Sequence, residues 1–254
     1  MMKFLGIIPA RYASTRFAGK PLAAIGGHPM IEWVYRRARR AVEQVCVATD
    51  DERICNCVRS FGGDAVMTSP NHATGTDRIA EAARLLGSDA DVIINIQGDE
   101  PFIDPQSIVL LMRCFDDART HIATLARPVA AGTPYAELAD PNVPKVLLSP
   151  SGQALAFSRQ PIPYVRGVDK DAWTQHHTFY RHIGIYAYRA AMLQAITRMA
   201  QTPLEKAESL EQLRWIENGL HISVAVTQAD NFGIDTPADL QQACRLAAEG
   251  KFML

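Results

Sequence analysis

The chain has 254 residues, with 26 Lys and Arg against 27 Asp and Glu, so its formal net charge at pH 7 is −1. A charge this close to zero provides no bulk attraction to nucleic acid or to an anionic membrane, and it disfavours both partners. The apolar share of 48% and the charged share of 21% are those of a globular protein and exclude a disordered or fibrous chain. The length predicts one large domain or a domain with an added lobe.

The apolar run at the start of the chain is predicted to be a buried strand rather than a signal peptide. It extends from Phe4 to Ala10, contains Pro9 and leads directly into Arg11. No apolar run reaches the ~18 residues that a membrane span needs. The five cysteines are odd in number and form no CxxC pair, which favours free thiols in a reducing cytoplasm over disulfides or a zinc site.

Short apolar runs alternate with amphipathic stretches in the first half of the chain. Strands are predicted at 4–9, 45–49, 65–68 and 92–96, and helices at 30–41, 50–61 and 76–86. Continuous apolar strands separated by helices indicate a parallel sheet that is covered on both faces. The first half therefore predicts a Rossmann-like α/β sheet.

The second half has a different pattern. Strands 145–149 and 154–158 flank a Pro-Ser-Gly turn, which predicts a β-hairpin. The remaining predictions are a mobile loop at 161–173, strands at 183–188 and 222–226, and helices at 190–199, 203–218 and 237–248. We interpret residues 1–254 as a single α/β domain with an inserted antiparallel lobe at about 130–190.

A basic loop follows the first predicted strand. It carries Arg11, Ser14, Arg16 and Lys20 at the carboxyl end of a parallel strand, where open α/β sheets bind their ligands. Backbone N–H groups and cations in such a loop suit a polyphosphate. Neither the Walker A pattern nor GxGxxG is present, which disfavours NTP hydrolysis and dinucleotide redox chemistry. A solvated basic loop is the alternative.

Two carboxylates are candidates for a magnesium site. Asp99 follows the fourth predicted strand, and Asp235 precedes the last predicted helix. Mg²⁺ in proteins is bound by one or two carboxylates together with substrate phosphates. The alternatives are a polar turn at Asp99 and a helix N-cap at Asp235.

Seven segments together resemble one enzyme family. In chain order they are IIPARYASTRFAGKPL, GTDRIAE, NIQGDEP, FSRQPIPY, RHIGIYAYR, LEKAESLEQLR and GIDTPADL. They closely resemble the 3-deoxy-manno-octulosonate cytidylyltransferases (CMP-Kdo synthetases), and the similarity extends from about Lys3 to Leu240. The first segment is shared widely among sugar nucleotidyltransferases, whereas RHxGIY, FSR followed by IP, and LEQLR are much narrower. The resemblance implies a nucleotidyltransferase sheet of the nucleotide-diphospho-sugar transferase type.

The family joins CTP to Kdo, giving CMP-Kdo and pyrophosphate for lipopolysaccharide biosynthesis. The resemblance implies the catalytic residues Lys20, Arg11, Asp99 and Asp235, of which Asp99 and Asp235 would bind Mg²⁺. It implies nucleotide binding by Arg11, Ser14, Arg16, Lys20, Thr76, Arg78 and Gln97. It implies sugar binding by Gln97, Arg159, His182, Tyr186, Glu211 and Gln212. A homodimer formed through the lobe at about 130–190 is expected from the family.

Three other hypotheses stay open. A cytidylyltransferase for a related keto-sugar acid, such as 8-amino-Kdo or a sialic acid, has the same nucleotide chemistry. A nucleotide-binding regulator would have little use for both Asp99 and Asp235. A glycosyltransferase of related fold would carry an Asp-x-Asp metal motif, whereas this chain has Gly98-Asp99-Glu100.

Overall fold

The computed structural model describes residues 2–13, 17–229 and 232–254. Its contacts divide the chain into two compact units. The first unit comprises residues 1–109, 187–197 and 230–254, and the second comprises 110–186 and 198–229. The second unit includes most of the predicted lobe, whose roles in sugar binding and dimerisation stay predictions.

The strands are β1 Phe4–Ala10, β2 Ala24–Ile25, β3 His28–Pro29, β4 Gln44–Thr49, β5 Asp64–Met67, β6 Val92–Asn95, β7 Ile122–Pro128, β8 Lys145–Leu148, β9 Ala154–Ser158, β10 Tyr180–Arg189 and β11 Ser223–Val226. The helices are α1 Met30–Arg39, α2 Glu52–Ser60, α3 Gly75–Leu85, α4 Pro105–Arg113, α5 Tyr135–Leu138, α6 Trp173–His176, α7 Ala190–Ile196, α8 Pro203–Glu208, α9 Gln212–Glu217 and α10 Pro237–Ala248.

The first unit is built on a parallel sheet in the order β6-β1-β4-β5. Its two central strands are almost entirely apolar and buried, with Ile7 and Ile8 of β1 and Val47 of β4 completely inaccessible to solvent. This burial on both faces is what continuous apolar strands predict. The Rossmann-like α/β prediction is confirmed.

Side-chain caps set the starting points of the helices that border the sheet. Thr74 and Asp77 form a capping box at the start of α3, and Thr236 and Asp239 form another at the start of α10. Each box satisfies backbone N–H groups that have no partner within the helix. Because Thr236 is the N-cap of α10, the side chain of Asp235 is left for other contacts.

The second unit contains an antiparallel hairpin, and β2 and β3 form a separate two-stranded antiparallel sheet in the first unit. β8 pairs with β9 and with β10, and β11 pairs in parallel with β7. The hairpin predicted at 145–158 is confirmed, with a bulge between Leu147 and Leu148. The chain therefore has the predicted Rossmann-like α/β fold with an antiparallel insertion.

One predicted helix is wrong in this unit. Residues 203–218 form two short helices, α8 and α9, because Ser209 adopts a left-handed conformation with φ of 50° between them. A left-handed residue cannot continue a right-handed helix. Strand β7 was missed by the sequence analysis.

The segment predicted as a mobile loop at 161–173 is packed at its end. Trp173 is 3% exposed and begins α6, and its ring stacks on Phe179. Val165 and Val168 pack on the same cluster. The mobility of the loop stays a prediction.

All five cysteines are free, and Cys46 and Cys55 are buried. Burial raises the pKa of the Cys46 thiol to about 12, which keeps it in the unreactive protonated form. Among the described residues, no helix combines the length and apolar character that crossing a bilayer requires.

Candidate active site

A cavity of about 250 Å³ opens in the first unit at the carboxyl ends of β1 and β6. Its walls come from three segments that are distant in sequence, together with Asp235. They are the end of β1 with the loop after it (Pro9, Ala10, Arg11, Lys20, Pro21), the loop before α3 with the first turn of α3 (His72, Ala73, Thr74, Gly75, Arg78), and the residues after β6 (Gln97, Gly98, Asp99). The cavity lies at the strand ends where the sequence predicts a ligand site.

Lys20 lies between the two predicted metal carboxylates. Its Nζ donates to Asp99 Oδ2 at 2.9 Å, to the main-chain carbonyl of Ile234 at 2.8 Å and to Asp235 Oδ1 at 3.4 Å. The Lys20 side chain is 16% exposed, against 36% for Asp99 and 50% for Asp235. The ammonium group is therefore held in place while both carboxylates face the cavity.

Two glycines allow the backbone of this site to close. A Cβ at Gly98 would lie 2.9 Å from the carbonyl oxygen of Pro9, a distance that side chains do not tolerate. Gly19 has a φ of 70°, and its N–H donates to the carbonyl of Tyr12 at 2.9 Å. Gly98 brings the Asp99 segment against β1, and Gly19 turns the chain so that Lys20 reaches it.

We expect Gly98→Ala to lower the free energy of unfolding by about 1–3 kcal/mol, because the new methyl group must push the Asp99 segment off Pro9. Turnover should fall roughly tenfold as Asp99 is displaced. Urea denaturation and steady-state kinetics measure the two effects. Gly184→Ala is the stability control, since no atom lies within 4 Å of a Cβ at that position. Equal stability of the two variants would contradict the prediction.

Arg11 and the start of α3 contribute positive charge to the wall of the cavity. Arg11 is exposed and has neither an ion-pair nor a hydrogen-bond partner among residues 2–13, 17–229 and 232–254. Thr74, the N-cap of α3, and Gly75, its first residue, line the cavity, so the positive end of the helix dipole faces it. An uncompensated guanidinium beside a helix N-terminus suits a phosphate group.

Arg78 is fixed in the cavity wall. It is 4% exposed, and its guanidinium donates to Asp50 Oδ2 and to Thr68 Oγ1, both at 2.7 Å. Gln97 lines the cavity and its amide nitrogen lies 3.4 Å from Asn95 Oδ1. Thr76 is buried within α3 and is not among the lining residues, so the cavity includes Arg78 and Gln97 but not Thr76.

His72, which was not predicted from the sequence, also lines the cavity. Its Nε2 lies 2.6 Å from Glu81 Oε2, which accepts the N–H of Ser69 at 2.7 Å. The hydrogen bond from His72 lowers the pKa of Glu81, so the carboxylate is charged and the histidine is the donor. This pair ties the loop before α3 to the helix itself. The position of His72 just before a capping box is the sequence signal for it.

The two carboxylates fit a magnesium ion by their chemistry. Lys20 uses one oxygen of each carboxylate, Oδ2 of Asp99 and Oδ1 of Asp235, and each has a second oxygen. No group of three or more His, Cys, Asp and Glu suited to a metal occurs in the described part of the chain. A pair of carboxylates completed by substrate phosphates is the usual protein contribution to Mg²⁺ binding.

The predicted sugar-binding residues other than Gln97 belong to the second unit. Arg159 donates from Nε to the carbonyl of Glu208 at 2.6 Å, and its other nitrogens donate to the carbonyls of Pro141 and Ser209 at 2.7 and 3.3 Å. These neutral partners fix the guanidinium without neutralising its charge. Arg159 thus keeps a positive charge, which its predicted role in sugar binding requires.

His182 and Tyr186 lie on one face of β10 with their rings 5.3 Å apart. Tyr186 packs edge-on against Trp215, and His182 packs edge-on against Phe157. Burial lowers the pKa of His182 to about 3. His182 is therefore neutral at pH 7, its Nε2 lies 3.2 Å from Thr124 Oγ1, and Arg159 is left as the cation of this predicted set.

The lowered pKa of His182 predicts a pH dependence of stability. Between pH 6.5 and pH 3 the unfolded chain binds a proton at this residue that the folded chain does not, so acidification favours unfolding. We expect His182 to contribute up to about 2 kcal/mol to the loss of stability between pH 7 and pH 5. His182→Gln should lose that contribution, as measured by urea denaturation at both pH values. If wild type and His182→Gln lost the same free energy of unfolding between pH 7 and pH 5, the prediction would be contradicted.

Gln212 is the predicted sugar residue with an unmet hydrogen bond. It is 5% exposed, and its Nε2 has no hydrogen-bond partner within the described ranges. Glu211, the N-cap residue of α9, is half-buried beside it. A buried amide without a partner costs free energy unless a ligand or water supplies one. Ser14 and Arg16 lie outside the described residues, so their predicted roles stay predictions.

The chain is similar to known proteins over most of its length. Residues 5–222 match the family model described as cytidylyltransferase. The chain is 54% identical to the 3-deoxy-manno-octulosonate cytidylyltransferase of Parabacteroides distasonis, over 98% of this chain and 99% of that protein. The corresponding protein of Geobacter metallireducens is 47% identical over 95% of this chain and 96% of its own length.

Two solved structures are similar to this chain as well. A CMP:2-keto-3-deoxy-manno-octonic acid synthetase complexed with CTP matches with a TM-score of 0.89 and 41% identity, over 98% of this chain and 99% of that one. A cytidylyltransferase from Leptospira borgpetersenii is 16% identical with a TM-score of 0.63, over 100% of this chain and 89% of that one. At that identity the second match concerns the fold alone.

Proposed function

The chain belongs to the 3-deoxy-manno-octulosonate cytidylyltransferase family, and we propose that it transfers CMP from CTP to the anomeric hydroxyl of Kdo. The observation that carries this proposal is the cavity in which Lys20 meets Asp99 and Asp235 beside Arg11. A nucleoside triphosphate presents phosphate charge to the cations, and a metal ion bound with it presents charge to the carboxylates.

In the proposed reaction the anomeric hydroxyl of Kdo loses its proton to solvent, and its oxygen bonds to the α-phosphorus of CTP. The bond from that phosphorus to the bridging oxygen breaks, and pyrophosphate leaves with the electron pair. Such a displacement depends on positioning and on charge neutralisation more than on covalent chemistry. We therefore assign no nucleophile to the protein.

The cations act on the phosphates. Arg11 and the N-terminus of α3 bind the triphosphate, and Lys20 compensates the charge that develops as pyrophosphate departs. Predicted contacts from Ser14 and Arg16 add to this set. Because Lys20 is held by three acceptors, its charge is in place before the reaction starts, and little reorganisation is needed.

Asp99 and Asp235 are the residues proposed to hold Mg²⁺. When bound, Mg²⁺ neutralises phosphate charge and lowers the pKa of a coordinated hydroxyl. The carboxylates also keep the Lys20 ammonium in position. In the second unit, Arg159 is proposed to bind the Kdo carboxylate, with His182, Tyr186, Glu211 and Gln212 available to its hydroxyls. Gln97, which belongs to the first unit, stays a predicted sugar-binding residue.

Pyrophosphate release tests the proposal. The protein is assayed with CTP and Mg²⁺ together with Kdo, 8-amino-Kdo or a sialic acid, each at the same concentration. Turnover with Kdo that stops on addition of EDTA supports both the substrate and the metal. If turnover occurred only with another acid, that acid and not Kdo would be the substrate. Turnover that persists in EDTA would contradict the metal assignment. A role in lipopolysaccharide biosynthesis, a homodimer and a cytoplasmic location are further predictions.

A further inference from the structure

The chain after α10 packs back against the core of the first unit. Phe252 packs flat on Phe102, with ring centroids 4.2 Å apart and an angle of 6° between the rings. Trp33 meets the same Phe102 ring edge-on at 5.5 Å. The cluster around them includes the buried residues Met30 and Ile234. Aromatic contacts of this kind contribute beyond the area that they bury.

The Phe102 ring connects the two segments that carry the carboxylates. Phe102 follows Asp99 by three residues, and Phe232, which precedes Asp235 by three, stacks on Phe102 at 6.4 Å. The main chains are also joined, because the N–H of Ile234 donates to the carbonyl of Asp99 at 2.9 Å. Whatever holds Phe102 in place therefore acts on both segments.

Helix α1 anchors the returning chain on its other side. The buried Arg37 donates from Nε to the carbonyl of Ile103 at 2.7 Å and from NH1 to the carbonyl of Met253 at 3.3 Å. Its guanidinium lies 5.7 Å from the centroid of the Phe252 ring, and Arg40 donates to the carbonyl of Leu254 at 2.7 Å. Residues 252–254 are thus fixed by α1 while Phe252 covers Phe102.

We propose that Phe252 is a positioning residue for the proposed transfer reaction. Its ring holds Phe102, and Phe102 holds the Asp99 and Asp235 segments at the spacing at which both carboxylates reach Lys20. The inference rests on the proposed function for its catalytic consequence, but the coupling of the two segments can be measured without any turnover. Small displacements of catalytic groups have large effects on rate, which is why a distant ring matters here.

Hydrogen exchange tests the coupling directly. In Phe252→Ala we expect the N–H of Ile234 to exchange about tenfold faster, because the bond to Asp99 opens more often. The N–H of Ile96, which donates to Ile7 at 3.0 Å inside the parallel sheet, serves as the internal reference and should not change. Met253→Ala is the matched control, since Met253 is 75% exposed and binds Arg37 through its main chain.

Kinetics test the consequence. The kcat of Phe252→Ala should fall about 10- to 100-fold while KM for CTP changes less than about threefold, because Arg11 and the start of α3 lie outside the aromatic cluster. Phe252→Tyr, which keeps the stacked ring, should restore kcat. CTP titration of the resting Phe252→Ala protein gives a binding constant independent of catalysis, and it should stay within about threefold of the wild-type value.

The outcomes separate the two proposals. An inactive wild type would contradict the proposed function and leave the exchange result to decide the coupling. Unchanged exchange at Ile234 in Phe252→Ala would overturn the positioning role, and so would an unchanged kcat beside an active wild type. Failure of Phe252→Tyr to restore kcat would do the same. If Phe252→Ala does not fold, Phe252→Leu keeps the apolar volume without the flat ring, and the same criteria apply.

Discussion

Asp99→Asn should lower kcat by about 10²- to 10³-fold, the range found when one electrostatic contact to a developing charge is removed. The substitution keeps the volume of the side chain and removes its charge. The isosteric amide is a poor ligand for Mg²⁺ and a weaker acceptor for the Lys20 ammonium. Steady-state kinetics with CTP and Kdo measure the loss.

The fold should survive this change. Lys20 keeps the carbonyl of Ile234 and Asp235 as partners, so no buried charge loses all its contacts, and we expect the melting temperature to shift by less than about 4 °C. Asp104→Asn is the matched control on the same loop, because Asp104 caps α4 by accepting the N–H of Gln106 and Asn caps equally well. Normal turnover by Asp99→Asn would show that Asp99 binds no essential metal.

Lys20→Met should be similarly damaging, with kcat lower by about 10²- to 10³-fold. Methionine keeps the length of the side chain but cannot donate to the three acceptors that surround Nζ. The affinity for CTP should also fall, by about tenfold, because one of the cations that faces the triphosphate is gone. Kinetics and CTP titration measure the two effects separately.

The control for Lys20→Met is Lys251→Met, which removes an exposed lysine that pairs with Glu249 and should leave kcat unchanged. A sharper test combines both site variants. Because Lys20 and Asp99 contact each other, the double variant should lose much less than the product of the two single losses. If the fold reduction in kcat of the double variant equalled the product of the two single reductions, Lys20 and Asp99 would not belong to one network.

The local features of the chain were predicted from the sequence because they depend on nearest neighbours. Apolar runs such as 4–9 and 92–96 can be satisfied only as buried strands, and the Pro-Ser-Gly turn at 150–152 sets its hairpin. The predicted α10, residues 237–248, matches its observed bounds because Pro237 and the capping box mark its start. The prediction of a single helix at 203–218 was wrong because the residue type of Ser209 does not indicate its left-handed conformation.

The residue types of the candidate active site were predicted from the sequence, but their arrangement in space was not. Motif resemblance selected Lys20, Asp99 and Asp235, three positions spread over most of the chain. The resemblance does not show that the Lys20 ammonium lies between the two carboxylates, since that contact exists only after β1, β6 and the start of α10 are brought together. His72 was missed for the same reason, because its partner Glu81 is reached across a loop.

A net charge of −1, the parallel sheet and the family motifs were determined by the amino-acid sequence alone. The tertiary structure decided how the charges are used. It left Arg11 without a partner in the part of the chain that it describes, enclosed Arg78 with Asp50, and made His182 neutral through burial. These outcomes depend on distances and desolvation, which are properties of packed side chains and are not encoded in the order of residue types along the chain.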